Sequence, residues 1–179
     1  MRRALALVAL AFVVVVAGAC GGSDDTDEDP TAAWASGFCT AVTSWTDELE
    51  TITSQFSDTS NLSQEGIQSA AGDAKSATEQ LVDDLRGLGS PETESGEEVQ
   101  SAIEGLSTTL EDEAAAIQEA ADGVSGITEL PGAITTITAS LSAMATAFSN
   151  TLTAIQDADV QGELGSALED SPDCAEISG

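Results

Sequence analysis

Residues 99–124 read VQSAIEGLSTTLEDEAAAIQEAADGV, and this stretch decides the fold. Apolar side chains recur in it every three or four residues, which is the period of one α-helix face. These positions are Val99, Ile103, Leu106, Leu110, Ala114, Ile117, Ala121 and Val124. Glycines at 123 and 126 are typical of a helix end. The stretch predicts an amphipathic helix whose apolar face must be buried against other elements.

Three further segments carry the same stripe. The first follows Asp29-Pro30, an N-cap with proline at the first helical position, and comprises Trp34, Phe38, Val42, Trp45, Leu49, Ile52 and Phe56. The second begins at Ser63, where Leu62 and Ile67 can form a hydrophobic staple, and comprises Ala71, Ala74, Thr78, Leu81, Leu85 and Leu88. The last comprises Ile134, Ile137, Leu141, Met144, Phe148, Leu152 and Ile155. Both tryptophans lie on a stripe, so we expect them in the core.

Signals at the ends of these segments complete the predicted architecture. Ser90-Pro91 repeats the cap-plus-proline signal and is the predicted start of the third helix, and Val160 to Leu168 predicts a short fifth one. Short connections make neighbouring helices antiparallel. The sequence therefore predicts an all-α fold, an up-down-up-down four-helix bundle with a short C-terminal fifth helix. Alanine-rich faces on helices two and three favour their close approach.

The N-terminus has the layout of a secretory signal. Arg2 and Arg3 precede an unbroken small and apolar run from Ala4 to Ala19. A helix that spans about 30 Å of hydrocarbon needs about 20 apolar residues, so this shorter run favours cleavage over a permanent anchor.

The run ends in Ala17-Gly18-Ala19-Cys20, which resembles the lipobox of bacterial lipoproteins. It departs from that pattern in having Ala17 where leucine is favoured. The resemblance implies that the Cys20 thiol receives diacylglycerol and holds the protein at the extracytoplasmic face of the cell membrane, since two acyl chains anchor stably. The alternative is an ordinary signal cut near Cys20.

Three parts of the chain follow from this interpretation. Residues 1–19 are the signal peptide, residues 20–29 an acidic flexible tether, and residues 30–179 the helical bundle domain. In composition and layout the whole resembles small helical lipoproteins of unassigned function from high-GC Gram-positive bacteria. That resemblance transfers no functional residue and indicates no oligomeric state.

The chain is strongly acidic. Of its four basic residues, Arg2 and Arg3 belong to the signal, so residues 20–179 hold Lys75 and Arg86 against 32 acidic residues, a net charge of −30. Such a charge repels phosphate backbones and anionic lipid surfaces, which excludes nucleic acid as a partner. It favours a basic protein partner or cations. Acidity that serves only solubility or salt adaptation is the alternative explanation.

Residue types also exclude most catalytic sites. Histidine and tyrosine are absent, which removes Ser-His-Asp and Cys-His sites. The sequence has no Gly-x-Ser-x-Gly elbow, phosphate-binding loop or dinucleotide fingerprint. We therefore predict that the protein is not an enzyme and needs no cofactor.

Once Cys20 is assigned to lipid, Cys39 and Cys174 remain. A disulfide between them suits an oxidising extracytoplasmic space; two free thiols or a partial metal site are the alternatives. In the predicted topology the tail returns to the pole where the first helix begins, within reach of Cys39.

The segment Asp157-x-Asp159-x-Gln161-Gly162 resembles the opening of a calcium-binding EF-hand loop. Asp157, Asp159 and Gln161 are thus the candidate metal ligands. The segment lacks the glutamate required at position 12, which is Leu168, with Glu169 one residue late.

Two functional hypotheses follow. The first is a membrane-anchored, non-enzymatic module for protein interaction or cell-envelope assembly. The second is a binding lipoprotein that holds a small apolar ligand between helices or collects divalent cations. A pocket inside the bundle would favour the second.

Overall fold

A computed structural model describes residues 29–55, 63–126, 128–159 and 161–175 of the chain. These residues form five α-helices and one 3₁₀ turn. They are α1 (Pro30–Gln55), α2 (Gln64–Leu88), α3 (Gly96–Asp122), α4 (Leu130–Ala158), α5 (Glu163–Asp170) and the 3₁₀ turn Pro172–Cys174. The predictions for the signal, for Cys20, for most of the tether and for Phe56, Leu62 and Val160 lie outside this part of the chain. None of the helices in the described ranges is both long and apolar enough to cross a membrane.

The all-α prediction is confirmed. The four long helices follow one another up and down, with α2 against α1, α3 against α2, and α4 against α3. Helix α5 and the 3₁₀ turn fold back onto α1. The architecture is thus a four-helix bundle with a short fifth helix.

Helix α3 supplies the centre of the core. Every apolar position predicted for its stripe is buried, and Val99, Leu110 and Ala121 have no exposed surface. The apolar face of α2 packs on it through Leu81, Val82 and Leu85. Together these faces form the apolar layer that holds the bundle together.

The predicted core position of Trp34 is confirmed. Its indole donates a hydrogen bond to the Gly89 carbonyl at 3.0 Å. The Phe38 ring stacks between Trp34 and Phe148 of α4, with centroid distances of 5.5 and 6.2 Å. Trp45 is only partly buried and donates to the Thr78 hydroxyl at 3.2 Å.

The predicted start of α3 at Ser90-Pro91 is wrong by about one turn and a half. Residues 91–95 instead form tight turns, in which Pro91 O accepts from the amide of Thr93 at 2.9 Å and Thr93 O from Gly96 at 3.1 Å. The helix begins only at Gly96. A Cβ on Gly96 would lie 2.2 Å from Pro91 O, so glycine permits the close approach that fixes this start.

The predicted fifth helix begins three residues later than expected, at Glu163. The delay has a local cause, because Gly162 adopts φ 74°, a left-handed conformation that interrupts the helix. Asp159 then caps the new start, its carboxylate accepting from the Gly165 amide at 2.6 Å.

Helix α4 departs most from its predicted stripe. Met144 and Ile155 are buried, but the other predicted members are only partly buried, and Ile134 is 49% exposed. The helix packs closely on α3, whereas its backbone makes little close approach to α1. The side of α4 that faces α1 is therefore incompletely covered.

Candidate ligand-binding cavity

The predicted pairing of Cys39 and Cys174 is confirmed by a disulfide with a Cα–Cα distance of 5.0 Å. Cys39 lies on α1 and Cys174 ends the 3₁₀ turn, and both are buried. The neighbouring Ser36 hydroxyl donates to the Asp173 carboxylate at 2.5 Å. These contacts fasten the tail to α1, which is a structural role.

The candidate metal ligands lie where α4 gives way to α5. Asp157 is exposed in the last turn of α4. The Asp159 carboxylate accepts a hydrogen bond from the Gly165 amide, and the Gln161 side-chain amide donates a hydrogen bond to the Glu94 carboxylate. Among the described residues, no three Asp, Glu, Cys or His side chains are grouped so as to hold a metal ion. Asp157, Asp159 and Gln161 stay candidates only.

A largely apolar cavity of about 610 Å³ opens among all four long helices. It lies toward the pole where α1 and α3 end and α2 and α4 begin. Its apolar walls come from Leu49, Ile52, Ile67, Ala70, Ala71, Ala74, Ile117, Ile134, Ile137 and Leu141. Its polar lining consists of Thr46, Glu50, Thr53 and Thr138.

Two features of the sequence create this volume. On α2, Ala70, Ala71 and Ala74 place methyl groups where larger side chains would fill the space. On α4, Ile134 and Ile137 reach the cavity wall without being sealed by α1. Exposed aliphatic surface on a concave wall is characteristic of a binding site, since surface of this kind gains free energy when a ligand covers it.

The three cavity threonines already use their hydroxyl protons. Thr46 donates to the Val42 carbonyl at 2.9 Å and Thr138 to the Ile134 carbonyl at 2.8 Å. Thr53 donates within α1, to Leu49 O. Each hydroxyl therefore keeps only acceptor capacity toward the cavity.

Among the described residues that line the cavity, Glu50 is the single charged one. Neither basic residue of the domain lines it, and each pairs elsewhere. Lys75 pairs with Glu79 one turn along α2, and Arg86 forms a two-pronged pair with Glu111 of α3 at 2.8 and 2.9 Å. The cavity thus offers acceptors and negative charge.

The Arg86–Glu111 pair bridges α2 and α3 at the surface. The hydrogen bonds that Arg86 donates to Glu111 hold the pKa of the Glu111 carboxyl below its usual range. The same bonds raise the pKa of Arg86. Both side chains are solvent-exposed. The shifts therefore reflect surface pairing between helices rather than a tuned acid or base.

Sequence periodicity did not reveal the cavity. Its aliphatic residues occupy the same stripes as the core, and a stripe does not show whether a facing helix covers it. A covered stripe and an uncovered one differ in solvent exposure, here that of Ile134, and this difference is visible only in the structure. No protein-family model, curated protein or solved structure matches the chain. A functional proposal for this chain therefore depends on the residues of the cavity itself.

Proposed function

We propose that this protein is an exported lipoprotein, anchored through Cys20, that binds a small apolar ligand in the cavity. The cavity lies at the pole of the bundle opposite the start of α1. The observation that carries the proposal is the cavity of about 610 Å³ with an aliphatic wall. Sites for small molecules typically measure about 300–1,000 Å³ and combine an apolar lining with a few polar groups.

The cavity favours the second of the two hypotheses that the sequence left open. A module acting only through its acidic surface has no need of an aliphatic recess that leaves Ile134 exposed. A binding lipoprotein requires one. The described lining residues hold and shape a ligand, and among them no nucleophile is paired with a base, so the proposal is for binding without chemistry.

An order-of-magnitude affinity sets the scale of the test. A ligand gains about 0.8 kcal/mol for each buried methylene. Association costs at least about 4 kcal/mol. A fully buried saturated chain of about twelve carbons would then bind with a dissociation constant no lower than on the order of 0.1 mM.

The start of α1 and the cavity lie at opposite ends of the domain. The chain enters α1 at Pro30, whereas the cavity lies beside the last turns of that helix. At 1.5 Å per residue α1 is about 39 Å long. The proposed anchor therefore joins the domain through the start of α1, at the pole away from the cavity.

Titration calorimetry with 1-dodecanol tests the binding. Thr138 and Thr153 offer a matched pair, because both are exposed on α4 and both donate to a carbonyl one turn back. We expect Thr138→Trp, which fills the cavity, to weaken binding at least tenfold and Thr153→Trp to leave it unchanged. Equal binding by both variants, or no binding by the wild type, would contradict the proposal.

The anchor is tested separately by expression of the full chain and of Cys20→Ala. We expect the wild type in the membrane fraction, carrying a diacylglyceryl mass on Cys20, and the variant without that mass. Cys39→Ser in the otherwise unchanged chain is the control and should still be lipidated. A wild-type chain of unmodified mass would overturn the lipidation.

A further inference from the structure

We infer that the cavity selects an aliphatic ligand whose polar end donates hydrogen bonds, with a primary ammonium favoured over a hydroxyl and a hydroxyl over a carboxylate or phosphate. This inference rests on the proposed function, because it names the class of ligand that the same cavity takes. Two observations support it, the direction of the threonine hydrogen bonds and the charge of the lining, and the arrangement of the helix ends does not oppose it.

The cavity's hydroxyls accept but do not donate. Thr46, Thr53 and Thr138 each place their proton on a carbonyl of their own helix. A ligand carboxylate has only acceptor atoms, so it would meet oxygen against oxygen unless these helical bonds broke. A ligand N–H or O–H group finds free lone pairs without any such change.

The charges around the cavity act in the same direction. Glu50 is exposed on α1 and lines the cavity, while Lys75 and Arg86 pair with Glu79 and Glu111. The surrounding domain, residues 30–179, has two basic and 27 acidic residues and so carries a net charge of −25. An anionic head would be repelled by this field and would find no counter-charge in the lining.

The helix ends at this pole do not reverse that preference. Helices α2 and α4 present their N-termini there, but α1 and α3 present their C-termini beside them. Their partial positive and negative charges largely cancel in an antiparallel bundle. Glu50 thus remains the charged side chain in the described lining of the cavity.

The test compares dodecylamine, 1-dodecanol and dodecanoate, which share one chain length and differ only in the head. At pH 7 and 0.15 M salt, where long-range fields are screened beyond about 8 Å, we expect the amine to bind at least threefold more tightly than the alcohol. We expect the carboxylate to bind at least tenfold more weakly than the alcohol. Glu50→Gln should remove most of the amine's advantage, whereas Glu97→Gln, an exposed carboxylate at the other pole, should not.

The outcomes separate this inference from the proposed function. If 1-dodecanol does not bind, the proposed function fails. If the three probes bind equally, or dodecanoate binds best, the cavity binds apolar ligands but the head-group selection is wrong. If Thr138→Trp keeps full affinity for the amine while losing the alcohol, the amine binds the acidic surface rather than the cavity, which also overturns the inference.

Discussion

At the scale of single residues, Cys39 and Cys174 make the longest-range covalent contact of the described chain. The bond joins α1 to the 3₁₀ turn across a sequence separation of 135. Closing so long a loop lowers the entropy of the unfolded chain, which contributes up to about 5 kcal/mol to the free energy of unfolding. The pair was predictable because assigning Cys20 to lipid leaves one partner for each remaining cysteine.

Reduction of this disulfide should destabilise the domain. We expect a reductant to lower the midpoint of thermal unfolding by roughly 10 °C, since about 1 kcal/mol corresponds to about 2–4 °C for a domain of this size. Circular dichroism at 222 nm follows the transition. A Cys39→Ser, Cys174→Ser double variant should start at the lower midpoint and show no further response. A wild-type midpoint that ignores the reductant would contradict the prediction.

The Arg86–Glu111 pair could not be predicted in the same way. The sequence offers Arg86 a choice among 32 carboxylates, and only the packing of α2 on α3 selects Glu111. The pKa of Glu111 is lowered in the folded state by its hydrogen bonds to Arg86. Its contribution to stability is therefore present above the unfolded-state pKa and is lost as the pH falls through the folded-state pKa.

Glu111→Gln should accordingly lower the midpoint of thermal unfolding slightly at pH 7 and leave it unchanged in acid, below the folded-state pKa. The effect should be small and should shrink in high salt, because both side chains are exposed. Asp112→Asn, one residue along α3 and likewise exposed, is the control and should not lower the midpoint at pH 7, because it removes a carboxylate that neither Lys75 nor Arg86 pairs with. A pH-independent effect of Glu111→Gln would indicate that the ion pair is not its cause.

At the scale of elements, helix centres were predictable and helix starts were less so. The stripe of α3 extends over seven turns, so its period is unmistakable. Its start depends on whether residues 91–95 continue the helix or turn, and that depends on a contact between Gly96 and the Pro91 carbonyl. The cap-plus-proline signal at Ser90-Pro91 describes local preference and does not include this contact.

Two glycines of α3 test this interpretation. A Cβ on Gly96 would lie 2.2 Å from a backbone oxygen, whereas a Cβ on Gly105 would meet no atom within 4 Å. Gly105→Ala should stabilise the domain by about 0.5–1 kcal/mol, because alanine restricts the unfolded chain and favours the helix. Gly96→Ala should destabilise it by about 1–3 kcal/mol, since the backbone must shift. Urea denaturation measures the free energy of unfolding of both variants. If the two substitutions had equal effects, the contact between Gly96 and the Pro91 carbonyl would not determine where α3 starts.

At the scale of the whole molecule, the bundle followed from the sequence but the cavity did not. Four stripes of similar length and short connections are sufficient to predict antiparallel packing. The cavity depends on how far α4 stands from α1, which is set by side-chain volumes on every helix together. Small residues such as Ala70, Ala71 and Ala74 were predicted to allow close approach of α2 to α3, and they also leave part of the space beside them open. The pattern of residue types along the sequence does not determine whether small residues bring two helices together or leave a cavity between them.

The net charge of residues 20–179 should make the stability of the protein depend on salt. Residues 20–179 carry 32 acidic side chains against Lys75 and Arg86, and both basic residues are already paired. The remaining carboxylates repel one another more strongly in the compact state than in the unfolded chain. Added NaCl should therefore raise the midpoint of thermal unfolding steadily as the screening length falls from about 30 Å at 0.01 M to about 3 Å at 1 M.

Divalent ions distinguish screening from a built site. Calcium and magnesium at equal concentration should raise the midpoint equally if they act on the diffuse charge, and Asp157→Asn should not alter that equality. A larger effect of calcium, lost in Asp157→Asn, would instead establish a calcium site at the junction of α4 and α5. In that case the acidity of the chain would serve a defined ligand, and stability would depend on calcium in the micromolar to millimolar range that such loops cover.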